Sequence, residues 1–176
     1  IKENIVKINK FYKIKDKDSG ESTKSKIKKL SKILGKNNID FQFISAPENV
    51  AWLLNLRGKD SEFSPMPHSY LIINNKNSQI YFFCDLKKID KNLRKKLNNI
   101  AVLNIRYIEH FFMNVKNKIF QLDSNTCSIF FKNIIQKNNL IVEKQDPIYL
   151  FKSIKNKIEI KNITQSHIYD GVALTK

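Results

Sequence analysis

The chain has 176 residues, enough for one domain that buries about two-thirds of the surface of its unfolded form. Its hydrophobic content of 41%, with 12 Phe, 6 Tyr and 1 Trp, is typical of a globular protein, and no run reaches the ~20 apolar residues of a membrane-spanning helix. The first residue is not methionine, and residues 1–10 lack the apolar run of a signal peptide. We therefore expect a piece cut from a longer protein, with no membrane partner.

The net charge of +16 has a compositional explanation. Lys, Asn and Ile, whose codons can consist of A and T alone, supply 29, 21 and 26 residues, and an AT-rich genome raises all three together. Only three basic residues are arginines, whereas proteins that read nucleic acids favour the planar guanidinium. We therefore expect no nucleic-acid partner. A stand-alone basic module that binds nucleic acid or an acidic protein is the alternative, and binding that persists at physiological salt would favour it.

The beginning of the chain predicts a lead-in followed by a helix and a strand. Residues 1–18 are polar and are expected to be extended. A helix with one solvated lysine side is predicted from Ser22 to Gly35, because apolar residues recur on its other face. The segment 40–46 is short and rich in β-forming residues, so it predicts a buried strand. The apolar residues of the helix are Ile27, Leu30 and Leu34.

Scarce residues gather in the segment PENVAWLLNLRGKD, residues 47–60. It contains the only tryptophan, one of three arginines and one of four glycines. Pro47 suits the first turn of a helix, which we expect to end near Arg57. Trp52 lies among leucines and is predicted to belong to the core. Arg57 is predicted either to cap helix carbonyls or to pair with Asp60, three residues later.

The rest of the chain predicts a hairpin and then a further alternation of helix and strand. Two apolar runs, 70–73 and 80–84, flank an Asn-rich turn and predict a β-hairpin. The following segments show helical spacing or short β-rich runs in turn. This order predicts an α/β fold with a mixed β-sheet flanked by helices. Helices are predicted over 88–99, 108–117 and 125–139, and strands over 100–107, 118–123 and 140–144.

The tail of the chain predicts helix. Asp146 suits an N-cap and Pro147 the first helical position, and a break is expected near Asn156. Beyond the break, apolar residues recur at a spacing of three to four, so this helix needs another surface to cover them. We therefore divide the chain into three parts. These are an extended lead-in from a preceding domain (1–18), an α/β domain (19–146), and a linker with the first helix of the next domain (147–176).

The cysteines and histidines form no recognisable site. Cys84 and Cys127 each lie in an apolar run without CxxC spacing, so two buried free thiols are expected, and a disulfide between them stays open. His68, His110 and His167 stand apart from one another, without the spacing of metal ligands. His68 is interpreted as an ordinary surface residue in a Pro-containing loop. His167 shares a helix face with an aspartate three residues later, which predicts a surface pair.

Two long segments carry motifs of a known family. One is APENVAWLLNLRGKDSEFSPMPHSYLII, from residue 46, and the other is DPIYLFKSIKNKIEIKNITQSHIYDGVAL, from residue 146. They resemble, respectively, the second domain of three-domain Xaa-Pro aminopeptidases (aminopeptidase P) and the segment that joins it to the catalytic domain. In the first segment the matching residues are Glu48, Val50, Ala51, Trp52, Leu53, Asn55, Arg57, Gly58, Asp60, Pro65, Pro67, Ser69, Tyr70 and Leu71. In the second they are Pro147, Lys152, Lys155, Asn156, Glu159, His167, Asp170, Gly171, Ala173 and Leu174.

The resemblance implies the fold of the creatinase/prolidase N-terminal domain, with a C-terminal helix that belongs to the next, "pita-bread" domain. It also implies a cytoplasmic parent enzyme that removes the N-terminal residue preceding proline from peptides, and a homodimer is among the assemblies that the resemblance allows for this parent. Such enzymes use two divalent metal ions, Mn or Zn, held by two Asp, one His and two Glu. All five ligands lie downstream of these motifs, so this fragment is expected to hold no metal or cofactor and no catalytic residue, and to be inactive alone. A pseudo-enzyme that keeps the domain as an interaction platform is the alternative.

The resemblance further implies that the loop after the tryptophan-containing helix faces the catalytic cleft of the parent. There the domain would shape the cleft, exclude large substrates and support assembly. The candidates for this role are Arg57, Asp60 and His68.

Overall fold

A computed structural model describes residues 8–176; residues 1–7, part of the predicted lead-in, lie outside the described residues. The strands are β1 (Tyr12–Lys13), β2 (Phe41–Ile44), β3 (Leu56–Arg57), β4 (Ser69–Asn74), β5 (Ile80–Cys84), β6 (Ile100–Asn104), β7 (Ile119–Leu122) and β8 (Leu140–Glu143). The helices are α1 (Asp16–Ser19), α2 (Thr23–Lys36), α3 (Pro47–Leu54), α4 (Lys91–Lys96), α5 (Ile108–Asn114), α6 (Ile129–Gln136), α7 (Pro147–Ser153) and α8 (Lys157–Thr175). Short 3₁₀ turns occupy Leu86–Lys88 and Ile105–Tyr107.

Six strands form a mixed sheet in the order β6-β5-β4-β2-β7-β8. Strands β4 and β5 form the predicted antiparallel hairpin, and β2 pairs antiparallel with β4. The pairs β5–β6, β2–β7 and β7–β8 are parallel. A separate antiparallel pair joins β1 to β3. The predicted α/β fold with a mixed sheet and flanking helices is therefore confirmed.

The sheet separates two hydrophobic cores, because side chains alternate between the two faces of a strand. Along β2, Phe41 and Phe43 face one core, whereas Ile44 faces the other. The first core contains residues of α2, α3 and α7. The second contains residues of α5 and α6 and is rich in aromatic rings. Its packing is edge-on in places, as between Phe43 and Phe112, whose ring centroids are 5.1 Å apart.

Capping residues fix the beginnings of two predicted helices. The Ser22 hydroxyl accepts a backbone hydrogen bond of 3.2 Å from the first turn of α2, and Leu30 and Leu34 of this helix are fully buried in the first core. The Asp146 carboxylate accepts a hydrogen bond of 3.0 Å from the backbone N–H of Ile148 at the start of α7. Helix α7 therefore starts at its predicted N-cap, and α2 starts directly after Ser22, where the helical pattern was predicted to begin.

Four predicted helices are shorter in the structure. Helices α5 (Ile108–Asn114) and α6 (Ile129–Gln136) fall short of the predicted 108–117 and 125–139, and α3 and α4 are also shortened. Helix α3 ends at Leu54, because Asn55 adopts a left-handed conformation with φ of 52°. The chain then enters β3, so the predicted helix end near Arg57 is wrong. Helix α4 begins only after Asp90, whose carboxylate accepts a hydrogen bond of 2.7 Å from the backbone N–H of Leu93. The predicted helix over 88–99 is thereby reduced to its middle.

The described part of the lead-in is only partly extended. Phe11 is buried in the first core with 2% of its surface exposed, and β1 follows it. Residues 16–19 then make one turn of helix, α1, where extended chain was predicted. Gly20 ends this turn with φ of 75°, a conformation that glycine adopts without strain.

The tail is helical with a break, as predicted. Helix α8 begins after Asn156, whose side chain accepts hydrogen bonds from the backbone N–H groups of Ile158 and Glu159. The backbone N–H of Asn156 donates in turn to Glu159 Oε2 at 2.9 Å, which completes a capping box. No residue of α8 is buried. Of the helices between residues 8 and 176, none is long and apolar enough to cross a membrane.

Candidate functional site

A close backbone contact shapes the loop between β3 and β4. The N–H of Gly58 donates to the carbonyl of Pro65 at 3.2 Å, so the chain folds back on itself. A Cβ atom at Gly58 would lie 2.9 Å from both the Met66 carbonyl oxygen and Pro67 Cα. Glycine is therefore needed here because of space, with no positive φ involved. The Pro-containing loop is held against β3 by this contact.

Asp60 ties the loop together. Its Oδ2 accepts a hydrogen bond of 2.7 Å from the backbone N–H of His68, at the far end of the loop. Its Oδ1 forms an ion pair with Lys88, in the 3₁₀ turn after β5. Asp60 thus connects three segments that are distant in sequence. Its carboxylate is engaged in holding the loop.

Arg57 caps helix α3. Its Nη1 donates to the carbonyl oxygens of Ala51 at 3.1 Å and Leu56 at 2.8 Å. Burial lowers the pKa of the guanidinium, and the nearby Tyr12 opposes this shift. Of the two predicted roles, the structure shows the capping role, since Asp60 pairs with Lys88 instead.

The three candidate cleft residues do not form one cluster. Asp60 and His68 meet through a backbone hydrogen bond. The His68 side chain is exposed, and its ring lies edge-on to Tyr70 with centroids 6.2 Å apart. Arg57 instead lines a cavity of about 300 Å³ that residues of α8 also line, whereas Asp60 and His68 do not. The loop also carries Phe63, which is 90% exposed.

A buried lysine, missed in the sequence, lies at this cavity. Lys26 is 1% exposed, and its Nζ donates to Asn55 Oδ1 at 2.6 Å and to the carbonyl oxygen of Trp52 at 2.8 Å. The same Nζ lies 4.0 Å from the centroid of the Trp52 ring, a cation–π geometry. Burial lowers the pKa of Lys26 to about 8. The sequence contains a signal: Lys26 precedes the buried Leu30 by four residues, so it lies on the apolar face of α2.

Trp52 is less buried than predicted. It packs against the first core, with its ring centroid 6.4 Å from that of Phe151, but it is only half-buried. Its indole N–H donates to Glu159 Oε1 of α8 at 3.2 Å. The tryptophan therefore joins the core to the C-terminal helix.

A second buried polar cluster lies after the ends of β2 and β7. Asn49 donates from Nδ2 to Asp146 Oδ2 at 2.8 Å and accepts at Oδ1 from Lys152 Nζ at 2.8 Å. The backbone N–H of Asp146 donates to Asp123 Oδ2 at 3.0 Å. Burial raises the pKa of Asp146 to about 6. These bonds hold α7 against α3 and the sheet, which gives the cluster a structural role.

Both cysteines have free thiols. Cys84 is buried in the first core, whereas Cys127 is half-buried and packs against the second. The sheet thus lies between them. Within residues 8–176, no three His, Cys, Asp or Glu side chains lie close enough together to hold a metal ion. His167 and Asp170 are exposed on α8.

The comparison with protein families decides which family this is. A model of the creatinase/prolidase N-terminal domain matches residues 4–159. The chain belongs to this family. This creatinase/prolidase N-terminal domain is 33% identical over 174 residues to the Xaa-Pro aminopeptidase ApepP of Drosophila melanogaster. It is also 31% identical over 169 residues to Xaa-Pro aminopeptidase 1 of Dictyostelium discoideum.

The creatinase/prolidase N-terminal domain is a small part of each of these relatives. Both alignments cover 94% of the chain, but only 28% of the Drosophila protein and 26% of the Dictyostelium protein. The chain therefore spans little more than a quarter of their length. The fold is similar to that of an X-prolyl aminopeptidase from Caenorhabditis elegans, with a TM-score of 0.84 and 23% identity over 94% of this chain and 28% of that one. The predicted family and fold are confirmed.

Proposed function

We propose that this chain is the non-catalytic N-terminal creatinase/prolidase-like domain of a metal-dependent Xaa-Pro aminopeptidase. The supporting observation is the identity of 31–33% to Xaa-Pro aminopeptidases along 94% of the chain. The parent enzyme would remove the residue that precedes proline at the N-terminus of a peptide. A cytoplasmic location is supported by the Caenorhabditis elegans relative, which is a cytosolic enzyme.

The metal chemistry is proposed to lie outside this chain. The Caenorhabditis elegans enzyme has a di-nuclear active site. A pair of divalent metal ions, proposed to be Mn or Zn, would activate water for attack on the Xaa-Pro bond. The described residues do not fit such a site, since no three potential ligands come together among residues 8–176. No step of hydrolysis is therefore assigned to side chains of this chain.

Activity of the separate chain tests this proposal. The purified chain should cleave no Xaa-Pro tripeptide, with or without added Mn²⁺ or Zn²⁺, whereas the parent protein should do so under the same conditions. Isothermal titration should detect no stoichiometric binding of either metal to the chain. Metal-dependent turnover by the chain itself would show that the catalytic site has been misplaced.

The Pro-containing loop is proposed to shape the substrate cleft of the parent. The support is its construction: Gly58 and Asp60 hold it rigidly, while His68 and Phe63 are exposed at its surface. Arg57 would act indirectly, because its guanidinium is engaged with the carbonyl oxygens of Ala51 in the last turn of α3 and of Leu56 in β3. We also propose the division of the chain into a domain that ends at residue 146 and a linker with the first helix of the next domain.

Kinetics of the parent enzyme test the cleft role. His68→Ala should change kcat/KM for longer peptides more than for tripeptides, because a loop that limits access discriminates by length. Arg106→Ala, an exposed arginine in the turn after β6, is the matched control and should leave both values unchanged. Equal kcat/KM values for all lengths in the His68 variant would remove this residue from the cleft.

A role in assembly is proposed for α8. Its apolar side chains are exposed on more than one side, including Ile160 at 53%, Tyr169 at 66% and Leu174 at 88%. These side chains alternate with polar residues around the helix and are not confined to the single stripe that the spacing predicted, but exposed apolar side chains of this size are normally covered by other parts of a protein. Within the parent, which we propose to be a homodimer, other elements would cover these residues. Light scattering of the parent and of a variant with Tyr169→Ser and Leu174→Ser tests this, since assembly should be lost or weakened in the variant.

A further inference from the structure

The C-terminal helix is attached to the domain by a few polar contacts near its start. Asn156 Nδ2 donates to the carbonyl oxygen of Ser19 at 2.9 Å, and Asn162 Nδ2 donates to that of Asp18 at 2.9 Å. A Cβ at Gly20 would overlap the Asn156 amide, so the two segments lie very close together. Because no residue of α8 is buried, apolar packing contributes little to this attachment.

The remaining contact leads directly to the buried lysine. Glu159 of α8 accepts the indole hydrogen bond of Trp52 at 3.2 Å, and the Trp52 ring lies 4.0 Å from Lys26 Nζ. Lys26, Trp52 and Glu159 thus form a continuous row from α2 through α3 to α8. The ammonium group lies over the face of the indole ring, and the carboxylate accepts from the N–H at its edge.

Charges on every surrounding element act on Lys26. Glu159 of α8 is the strongest of the neighbouring charges and favours its protonated form, as do Glu21 before α2 and Asp16 of α1. Arg57 of β3 opposes it. Asp18 and Lys155 line the same cavity. Against these charges acts the burial of the ammonium group, which brings the pKa of Lys26 down to about 8. The proton is therefore held weakly enough to be lost just above neutral pH.

We propose that Lys26, Trp52 and Glu159 form a proton-linked latch that holds α8 against α2 and α3, and that loss of the Lys26 proton loosens it. The coupling between the two groups is reciprocal. If the nearby Glu159 carboxylate favours protonation of Lys26, then protonation of Lys26 must favour the docked position of Glu159 to the same extent. Deprotonation also removes the cation–π contact that stabilises the Trp52 ring in its place.

The single tryptophan makes the latch observable. Trp52 fluorescence, measured on the full chain between pH 6.5 and 9.5, should show a transition centred near pH 8. In Glu159→Gln the midpoint should fall by about half a pH unit, because the attraction of one nearby opposite charge is lost. Glutamine still completes a capping box, so α8 itself should persist in this variant. Glu109→Gln, an exposed carboxylate of α5 on the other face of the sheet, is the matched control and should not move the midpoint.

Hydrogen exchange at a fixed pH of 7 tests the docking separately. Lys26→Met and Glu159→Gln should each raise exchange in the first two turns of α8 several-fold, while protection of β4 and β5 shows that the domain remains folded. Lys26→Met should also abolish the fluorescence transition. The latch is refuted if the wild type shows no transition in this range, if Glu159→Gln and Glu109→Gln have the same midpoint, or if α8 exchange is unchanged in both latch variants.

Discussion

A single methyl group at Gly58 should destabilise the domain. In Gly58→Ala the new Cβ would lie 2.9 Å from the Met66 carbonyl oxygen, 2.9 Å from Pro67 Cα and 3.0 Å from Phe11 Cδ1, whereas ordinary contacts begin at 3.4 Å. Two of these atoms belong to the backbone and cannot rotate away. Forcing extra volume into a packed region typically costs about 1–3 kcal/mol, so we expect the free energy of unfolding to fall by that amount.

The matched control is the same substitution at a glycine with free space. A Cβ at Gly171 on α8 meets no atom within 4 Å, so Gly171→Ala should raise helicity and change stability by no more than about 1 kcal/mol in the favourable direction. Urea unfolding followed by circular dichroism measures both variants. If Gly58→Ala unfolds within about 0.5 kcal/mol of the wild type, the close approach of the Pro-containing loop to β3 is not rigid, and the explanation of this glycine fails.

Three further predictions concern the buried polar cluster and the thiols. The folded state binds the Asp146 proton more tightly than the unfolded chain, because the pKa rises to about 6, so the contribution of this group to stability falls as pH rises from about 4 to about 6. Relative to wild type, Asp146→Asn, which keeps an N-cap, should therefore gain about 2 kcal/mol of unfolding free energy between pH 4 and pH 7, measured by urea unfolding. Parallel pH profiles of the two proteins would contradict this. Asn49→Ala leaves Asp146 Oδ2 and Lys152 Nζ without their amide partner, so the free energy of unfolding at pH 7 should fall by about 2–4 kcal/mol. In the control, Asn92→Ala at an exposed position, it should fall by less than about 0.5 kcal/mol. Burial raises the pKa of Cys84 to about 12 and that of Cys127 to about 11. Both thiols should therefore react slowly with a maleimide at pH 7 in the native protein and rapidly after unfolding. Fast labelling of Cys84 in the native protein would show that the first core opens.

Much of the fold could be predicted because its signals are local. The i, i+4 spacing of Leu30 and Leu34, the capping residue Asp146 and the Asn-rich turn of the hairpin each act within a few residues. The structure places α2, α7 and the β4–β5 hairpin accordingly. The end of α3 could not be read in this way, since Asn55 is held in its left-handed conformation by distant partners. Its Nδ2 donates to the Glu21 carbonyl at 2.8 Å and its Oδ1 accepts from Lys26.

The candidate site was less predictable, because its contacts join residues far apart in sequence. Asp60 forms its ion pair with Lys88, 28 residues later. The sequence offered Arg57, three residues earlier, as a nearer partner, and no pattern in it favours Lys88. The partner of the Trp52 indole lies 107 residues away, at Glu159. Composition also concealed Lys26. In a chain with 29 lysines, one lysine on an apolar helix face resembles the general excess.

The pairing of β2 with both halves of the sheet has a consequence for folding kinetics. The hairpin partners Ile73 and Ile80 are close in sequence, whereas β2 reaches β7 by pairing Phe41 with Phe120. A tenfold longer loop costs about 2 kcal/mol more closure entropy, and such non-local pairing slows folding. We therefore expect the hairpin to form early and the parallel pairs of β7 and β8 to form late. During synthesis, the edge of β2 that pairs with β7 would therefore stay uncovered until residues 119–122 have been made.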